Sequence, residues 1–262
     1  MRKLALSDEI LMKIEKPARY IGGEFNAIVK DHNEVDTTFA FVFPDVYEVG
    51  MSHLGIQILY DLLNRRDDVC CERVYSPWID LDKIMREQNI PLFSLETQTP
   101  VKNFDFLAIT LQYEMCYTNI LQLLDLSDIP FLSVDRSEDD PIVIGGGPCT
   151  YNPEPIADFF DIFYMGEGET EYYHLIELYK ENKTNGGTRR EFLEKAANIP
   201  CMYVPMFYDV SYNEDGTIKE MKCNNPNVQD VVKKDIVLDF DNVCYPDKPV
   251  VPFTKIVQDR CV

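Results

Sequence analysis

Apolar runs alternate with amphipathic stretches over most of the first 180 residues. The run TTFAFVF at 37–43 is apolar without alternation, which is typical of a strand buried on both faces of a parallel sheet. The run FDFLAITL at 104–111 has the same character. Further strands are predicted at 69–75, 141–144 and 162–165, with another short candidate at 91–95.

Helical patterns fill the intervals between the predicted strands. They cover 56–66, 80–88, 118–126 and 169–181, and Ser52 is a candidate N-cap of the first. Because two neighbouring parallel strands need a crossover connection, this alternation predicts an α/β, doubly wound parallel sheet of five strands. The ligand crevice of such a sheet lies beyond the carboxyl ends of its strands.

Different patterns flank this central part. Residues 4–16 predict an amphipathic helix ended by Pro17, and 182–190 form a polar stretch that we interpret as a linker. Beyond it, NEDG at 213–216 separates two strand-like runs at 202–212 and 217–223 and predicts a β-hairpin, followed by a Pro-rich connector. We therefore divide the chain into an N-terminal extension at 1–35, a central domain at 36–182, and a linker, hairpin and connector at 183–262.

Charge and hydropathy narrow the class of protein. The 262 residues contain 25 Lys and Arg against 45 Asp and Glu, a formal net charge of −20. Binding to a phosphate backbone needs clustered basic residues, so this part of the chain predicts no nucleic-acid partner. No apolar run is long enough for a membrane span, and the N-terminus becomes charged too early for a secretion signal. We expect a cytoplasmic protein without a membrane partner.

The eight cysteines show no ligand spacing. Neither CxxC nor CxxxCxxC occurs, and no cysteine clusters with histidine along the chain. His32 and His174 stand in contexts that do not suggest metal binding. The sequence thus predicts no metal site and no catalytic residue in this chain.

Glycine and polar residues gather in the loops that follow the predicted strands. These loops are DVYEVG at 45–50, TLQYE at 110–114, GGGP at 145–148 and GEGE at 166–169. Glycines let a backbone approach a ligand closely and expose N–H groups to phosphate, although a tight turn has the same composition. Carboxylates at a helix start also suit simple capping.

The first of these loops resembles a cofactor motif. Cobalamin-binding domains often carry DxHxxG after their first strand, and the histidine replaces the lower base of the cofactor. Here the frame is DxYxxG, with Tyr47 in the place of the histidine. A neutral phenol is a poor cobalt ligand, so we expect a cobalt without a protein lower ligand; His53 is the other candidate.

Longer pieces resemble one uncharacterised subfamily of B12-binding-type radical SAM proteins. The pieces are KPARYIGGE (16–24), SPWIDL (76–81), PLFSLET (91–97), QYEMCYTN (112–119), GGGPCTYNPEPIADFFD (145–161) and MGEGE (165–169). The resemblance implies a flavodoxin-like, cobalamin-binding-type Rossmann domain. Such proteins continue into a barrel whose CxxxCxxC motif binds a [4Fe–4S] cluster and cleaves S-adenosylmethionine. We expect that barrel, with its cluster, to fall beyond Val262.

The same resemblance implies which residues contact a corrinoid. Near its lower face it places Asp45, Tyr47, Glu48, Gly50, Ser52, His53 and Gly55. Near its nucleotide tail it places Thr110, Gln112, Tyr113, Gly145, Gly146 and Gly147, and Glu167 completes the set.

Three functions follow from these expectations. The leading one is a non-catalytic corrinoid module that presents its cofactor to the radical SAM barrel. The alternative is a degenerate Rossmann domain that has lost the cofactor and docks a protein or the barrel itself. A flavodoxin-like redox domain is disfavoured, because DVYEVGM would meet a flavin phosphate with two carboxylates. An exposed apolar docking face would favour self-association of the separate chain.

Overall fold

A computed structural model describes residues 6–252 and contains one central mixed sheet. Its strands are β1 Thr37–Phe43, β2 Val69–Tyr75, β3 Phe106–Thr110, β4 Ile142–Gly146, β5 Ile162–Tyr164 and β6 Met202–Tyr203. The spatial order is β2-β1-β3-β4-β5-β6. The first five strands are parallel, and β6 joins β5 in the antiparallel sense. The order 2-1-3-4-5 is that of flavodoxin-like folds, so the predicted fold class is confirmed and one antiparallel edge strand is added.

Helices flank this sheet. Among the described residues they are α1 Asp8–Leu11, α2 Tyr47–Gly50, α3 Leu54–Asn64, α4 Ile79–Gln88, α5 Tyr117–Leu126, α6 Tyr172–Thr184 and α7 Arg189–Ala196. Every position of β1 and β2 is buried, which requires cover on both faces of the sheet. Phe39 stacks on Phe106 with ring centroids 4.5 Å apart, and Tyr172 of α6 packs edge-on against Phe39. Within 6–252, no helix has both the length and the apolar character that a membrane crossing needs.

The N-terminal extension is less helical than predicted. The expected helix over 4–16 is reduced to the four residues of α1, and residues 1–5 lie outside the described part. Ser7 caps α1 by accepting a hydrogen bond from the Ile10 amide. Pro17 opens a 3₁₀ turn rather than ending a helix. A helix this short depends on tertiary packing, here through buried Ile10, and local pattern alone overestimates it.

The stretch at 182–190 is not the linker that we predicted. Helix α6 continues to Thr184, and α7 begins at Arg189 behind a capping box in which Thr188 and Glu191 bond reciprocally. The signal T-x-x-E was present in the sequence at 188–191. The Asn182 side chain donates to the Thr188 carbonyl and closes the turn between the two helices.

The hairpin is shorter than predicted, because the run expected to form its first strand, 202–212, contains two separate strands. Met202–Tyr203 extends the main sheet, and the separate hairpin consists of β7 Tyr208–Tyr212 and β8 Ile218–Cys223. After the hairpin the chain returns to the carboxyl end of β5, where Asp235 forms a parallel bridge with Gly166. The short strand expected at 91–95 is only an isolated bridge between Phe93 and Pro100.

Candidate functional site

A cavity of about 130 Å³ lies at the carboxyl edge of the sheet. The loops that follow β1, β3, β4 and β5 converge on it, as the topology of a doubly wound sheet requires. The predicted site residues that line it are His53, Gly55, Thr110, Gln112, Gly146 and Gly147. Gly166 and Gly168 of the GEGE loop also line it. The sequence did not single out the remaining side chains of the wall, among them Phe41, Leu59, Tyr164 and Tyr172.

The three glycines at the end of β4, Gly145, Gly146 and Gly147, lie in different surroundings. A Cβ on Gly145 would lie 2.8 Å from the Leu111 side chain, so this glycine permits core packing. Gly147 has φ +112°, and a Cβ there would lie 2.9 Å from the Leu111 carbonyl oxygen. A Cβ on Gly146 would meet no atom within 4 Å. Gly146 therefore marks the open part of the edge, where a ligand could approach the backbone.

Thr110 and Gln112 supply polar groups to the cavity wall, whereas Tyr113 is not among the lining residues. The Thr110 hydroxyl is anchored on the Val42 carbonyl at 3.2 Å. Tyr113 turns towards the loop after β1 and donates to Asp45 Oδ2 at 2.8 Å. That bond raises the pKa of Tyr113 to about 12 and joins two predicted site residues outside the cavity.

His53 is the N-cap of α3, a role that we had expected for Ser52. Its Nδ1 accepts a hydrogen bond from the Ile56 amide at 3.3 Å, so a neutral ring carries its proton on Nε2. Burial lowers the pKa of His53, and a hydrogen bond with Gln112 partly opposes that shift. The Ser52 hydroxyl donates to the Val49 carbonyl at 3.0 Å instead. His53 thus faces the cavity as a neutral imidazole.

The loop at 45–50 is directed towards the N-terminal extension. The Tyr47 hydroxyl donates to Glu24 Oε1 at 3.1 Å, and burial raises the pKa of Tyr47. Glu48 pairs with Arg19 at 2.8 Å and with Lys16 at 3.1 Å. A Cβ on Gly50 would lie 2.4 Å from the Tyr75 ring, so Gly50 is a packing glycine. These residues hold the extension against the domain.

A buried ion-pair network lies behind this loop. Arg73 of β2 bonds Glu96 at 2.6 Å and Glu24 at 3.0 Å, and the side chains of Arg73 and Glu96 are 3% and 0% exposed. Burial raises the pKa of Glu96, against the lowering effect of Arg73. Burial alone would lower the pKa of Arg73, but its carboxylate partners raise it well above the ordinary value. The network joins the extension to β2.

Glu167 binds the C-terminal segment and does not line the cavity. Its Oε2 accepts a hydrogen bond from the Val237 amide at 2.5 Å. Asp235 donates its amide to Met165 and accepts the Tyr164 hydroxyl at 2.6 Å. Sequence reasoning missed Asp235, because no local pattern links it to a loop some 70 residues earlier.

Two comparisons with known proteins cover more than half of this chain. The model of a family described as "Radical SAM proteins, N-terminal" matches residues 55–205, which run from α3 past β6. An uncharacterized protein of Methanocaldococcus jannaschii is 29% identical over 157 residues, which are 60% of this chain. The matched part is 29% of the length of that relative. No solved structure matches.

Proposed function

The chain belongs to the family of radical SAM proteins, N-terminal, and from this premise we propose that it is the non-catalytic cofactor module of a radical SAM enzyme. In this proposal the cavity at the carboxyl edge takes the nucleotide tail of a corrinoid. The [4Fe–4S] cluster and S-adenosylmethionine belong to a separate radical SAM domain of the parent protein. The module would present its cofactor to that domain.

The observation that carries the proposal is the glycine-lined edge of the cavity. Gly55 follows β1, Gly146 and Gly147 lie at the end of β4, and Gly166 and Gly168 follow β5; all five line the same space. Backbone without side chains allows close approach and offers N–H donors to a phosphate or amide. At Gly146 the space beside the backbone is open.

The residues present fit a corrinoid only without a protein lower ligand. The Tyr47 hydroxyl is bonded to Glu24, and the Nδ1 of His53 is bonded to the Ile56 amide. The neutral phenol of Tyr47 is a poor cobalt ligand, and the neutral ring of His53 has no second lone pair, because its Nε2 carries the proton. When bound, the corrinoid would supply a cobalt centre for methyl transfer or a radical rearrangement. The contribution of this chain would be to hold the tail through Thr110, Gln112 and the glycines.

The size of the cavity favours a second candidate. Its volume of about 130 Å³ is below the roughly 300–1,000 Å³ of typical small-molecule sites. A Rossmann domain without cofactor, docked on the radical SAM domain, would need no larger space. Apolar side chains exposed in the loops at the carboxyl edge suit such docking, namely Val49, Tyr113, Met115 and Tyr151.

Titration with hydroxocobalamin tests the corrinoid proposal. We expect a change in visible absorption and co-elution in gel filtration at tens of micromolar. Gly146→Leu should weaken binding at least tenfold (about 1.4 kcal/mol), because the side chain would enter the open space. Lys83→Leu, on the exposed surface of α4, is the matched control and should bind as the unaltered protein does.

Two outcomes would contradict the corrinoid proposal. One is the absence of both spectral change and co-elution, and the other is equal affinity of the Gly146→Leu and Lys83→Leu variants. The docking candidate predicts binding to a separately expressed radical SAM domain, weakened by Met115→Asp. Absence of that binding would eliminate the second candidate.

A further inference from the structure

Three side chains that can ligate a metal meet at the start of β2, outside the cavity described above. They are His32 from the loop before β1, and Cys70 and Glu72 from β2. Cys70 and Glu72 are two positions apart on a strand and therefore point to the same face. One ligand atom from each of the three residues lies within 4.8 Å of the other two. The side chains of His32 and Glu72 are 7% and 0% exposed.

The distances are close to those of a bound cation. Cys70 Sγ lies 3.7 Å from Glu72 Oε1. Tetrahedral zinc with ordinary Zn–S and Zn–O lengths separates the two ligand atoms by about 3.6 Å. His32 Nε2 lies 2.7 Å from the same oxygen, against about 3.3 Å in such a site. A shift of roughly 0.6 Å in the loop that carries His32 would bring this pair of atoms to the separation expected in such a site.

Outer contacts already orient two of the ligands. Oε2 of Glu72 accepts the hydroxyl groups of Ser94 at 2.5 Å and Thr97 at 2.7 Å, which leaves Oε1 for the cluster. The His32 ring packs edge-on against Phe104 with centroids 5.1 Å apart. Such outer-shell contacts fix the orientation of metal ligands.

One polar atom of the cluster has no partner among the described residues. His32 Nδ1 is buried and makes no hydrogen bond. With Nε2 on a metal, a neutral imidazole carries its proton on Nδ1. A cavity of about 360 Å³ is lined by His32 together with Lys30 and Thr97. With three protein ligands, the fourth coordination position of the ion would go to a water molecule.

The charges of the cluster balance those of a divalent cation. Binding would release one proton, from the Cys70 thiol, and leave a thiolate, a carboxylate and a neutral imidazole around M²⁺. A net charge of zero for the metal and its ligands is important in the protein interior, where an uncompensated charge is costly. Lys30 is the cation nearby, and its ammonium group donates to the carbonyls of Asn64, Arg66 and Val69. Its three protons are thus already used.

From this juxtaposition we propose that His32, Cys70 and Glu72 bind one divalent transition-metal cation of the zinc type. Imidazole, thiolate and carboxylate are the three side-chain ligand types of zinc. The site is separate from the corrinoid proposal and does not depend on it.

Cobalt(II) is a suitable probe, because it reports its ligands by absorption. We expect one equivalent of Co²⁺ to bind the metal-free protein, with a near-ultraviolet thiolate charge-transfer band and visible bands of four-coordinate cobalt. Zn²⁺ should displace it. Cys70→Ser should abolish the charge-transfer band and weaken binding at least tenfold. Cys71→Ser is the matched control, since Cys71 is equally buried and points to the opposite face of the strand.

Three results would overturn the site. They are the absence of stoichiometric Co²⁺ binding, a charge-transfer band that persists in Cys70→Ser, and a band lost equally in Cys71→Ser. If Cys70→Ser does not fold, as judged by circular dichroism, His32→Asn replaces it as the test. That variant changes a loop position, and it should weaken Co²⁺ binding at least tenfold with an unchanged fold; unchanged affinity would refute the proposal.

Discussion

The loop after β1 and the edge after β4 were expected to hold the same cofactor, and the structure uses them differently. In the loop at 45–50 the polar side chains are engaged: Asp45 with Tyr113, and Tyr47 with Glu24. The edge after β4 keeps an open space beside Gly146. Both regions are polar or glycine-rich in sequence and both follow a buried strand.

This difference shows that a polar loop at the edge of a sheet can serve the stability of the fold rather than the binding of a ligand. Side chains that become partly buried need hydrogen-bond partners. Here the N-terminal extension supplies them for Tyr47 and Glu48, and Tyr113 supplies one for Asp45. Glycines have no side-chain polar groups to satisfy, so their edge can remain available to a ligand. The loop at 45–50 therefore contributes to structural stabilisation, and the glycine edge is the surface that we propose for binding.

The largest loss of unfolding free energy should follow from breaking the ion-pair network of Arg73, which lies behind the loop at 45–50. Arg73→Met leaves Glu96 buried without its partner, and breaking a buried ion pair costs about 3–5 kcal/mol. Urea unfolding followed by circular dichroism measures this loss. Arg86→Met is the control, because the Arg86 pairs are solvent-exposed and each contributes about 1 kcal/mol or less. Equal losses in the two variants would refute the assignment.

Adjacent glycines of the binding edge should respond very differently to alanine. Gly147→Ala places a Cβ against the Leu111 carbonyl at positive φ, and we expect a loss of about 1–3 kcal/mol in unfolding free energy. Gly146→Ala points into open space and should change stability by no more than about 0.5 kcal/mol. The same unfolding measurement compares them, and similar losses would show that the edge is not open at Gly146.

Removal of the Tyr47 hydroxyl should lower the unfolding free energy without changing the affinity for hydroxocobalamin. Tyr47→Phe loses the hydrogen bond to Glu24, which is worth about 1 kcal/mol of unfolding free energy. Hydroxocobalamin affinity should stay unchanged, because Tyr47 is not among the residues that line the cavity. A variant with normal stability and weakened affinity would return the loop to the binding site.

The smallest effect concerns the pH dependence of stability at His53, which follows the loop at 45–50 and lines the same cavity as Gly146. Burial lowers the pKa of His53 in the folded protein below its unfolded value of about 6.5. The unfolded chain therefore takes up a proton more readily. Stability is complete above that value and falls as the pH drops through the folded pKa.

His53→Asn keeps a capping oxygen but does not titrate. The unfolding free energy of the unaltered protein should fall more steeply than that of this variant between about pH 7.5 and about pH 5. Parallel pH profiles of the two proteins would show that the His53 cap does not contribute to acid sensitivity.

The sequence by itself determined the central fold. The predicted strands at 37–43 and 69–75 have the same bounds as β1 and β2. Their apolar runs are local patterns, and the need to bury both faces leaves little choice of structure. The error at 182–190 came from reading polarity as linker while a capping box at 188–191 marked a helix start.

Only the tertiary structure decided which residues meet across long distances in the chain. His32 reaches Glu72 over 40 residues, and Asp235 reaches Tyr164 over 71. Spacing rules for cysteine and histidine find ligands that are close in sequence, so they gave no sign of the cluster at the start of β2. The direction of each polar side chain at the carboxyl edge depends on partners in distant segments. Local periodicity places an element in the fold, but it carries no information about those partners.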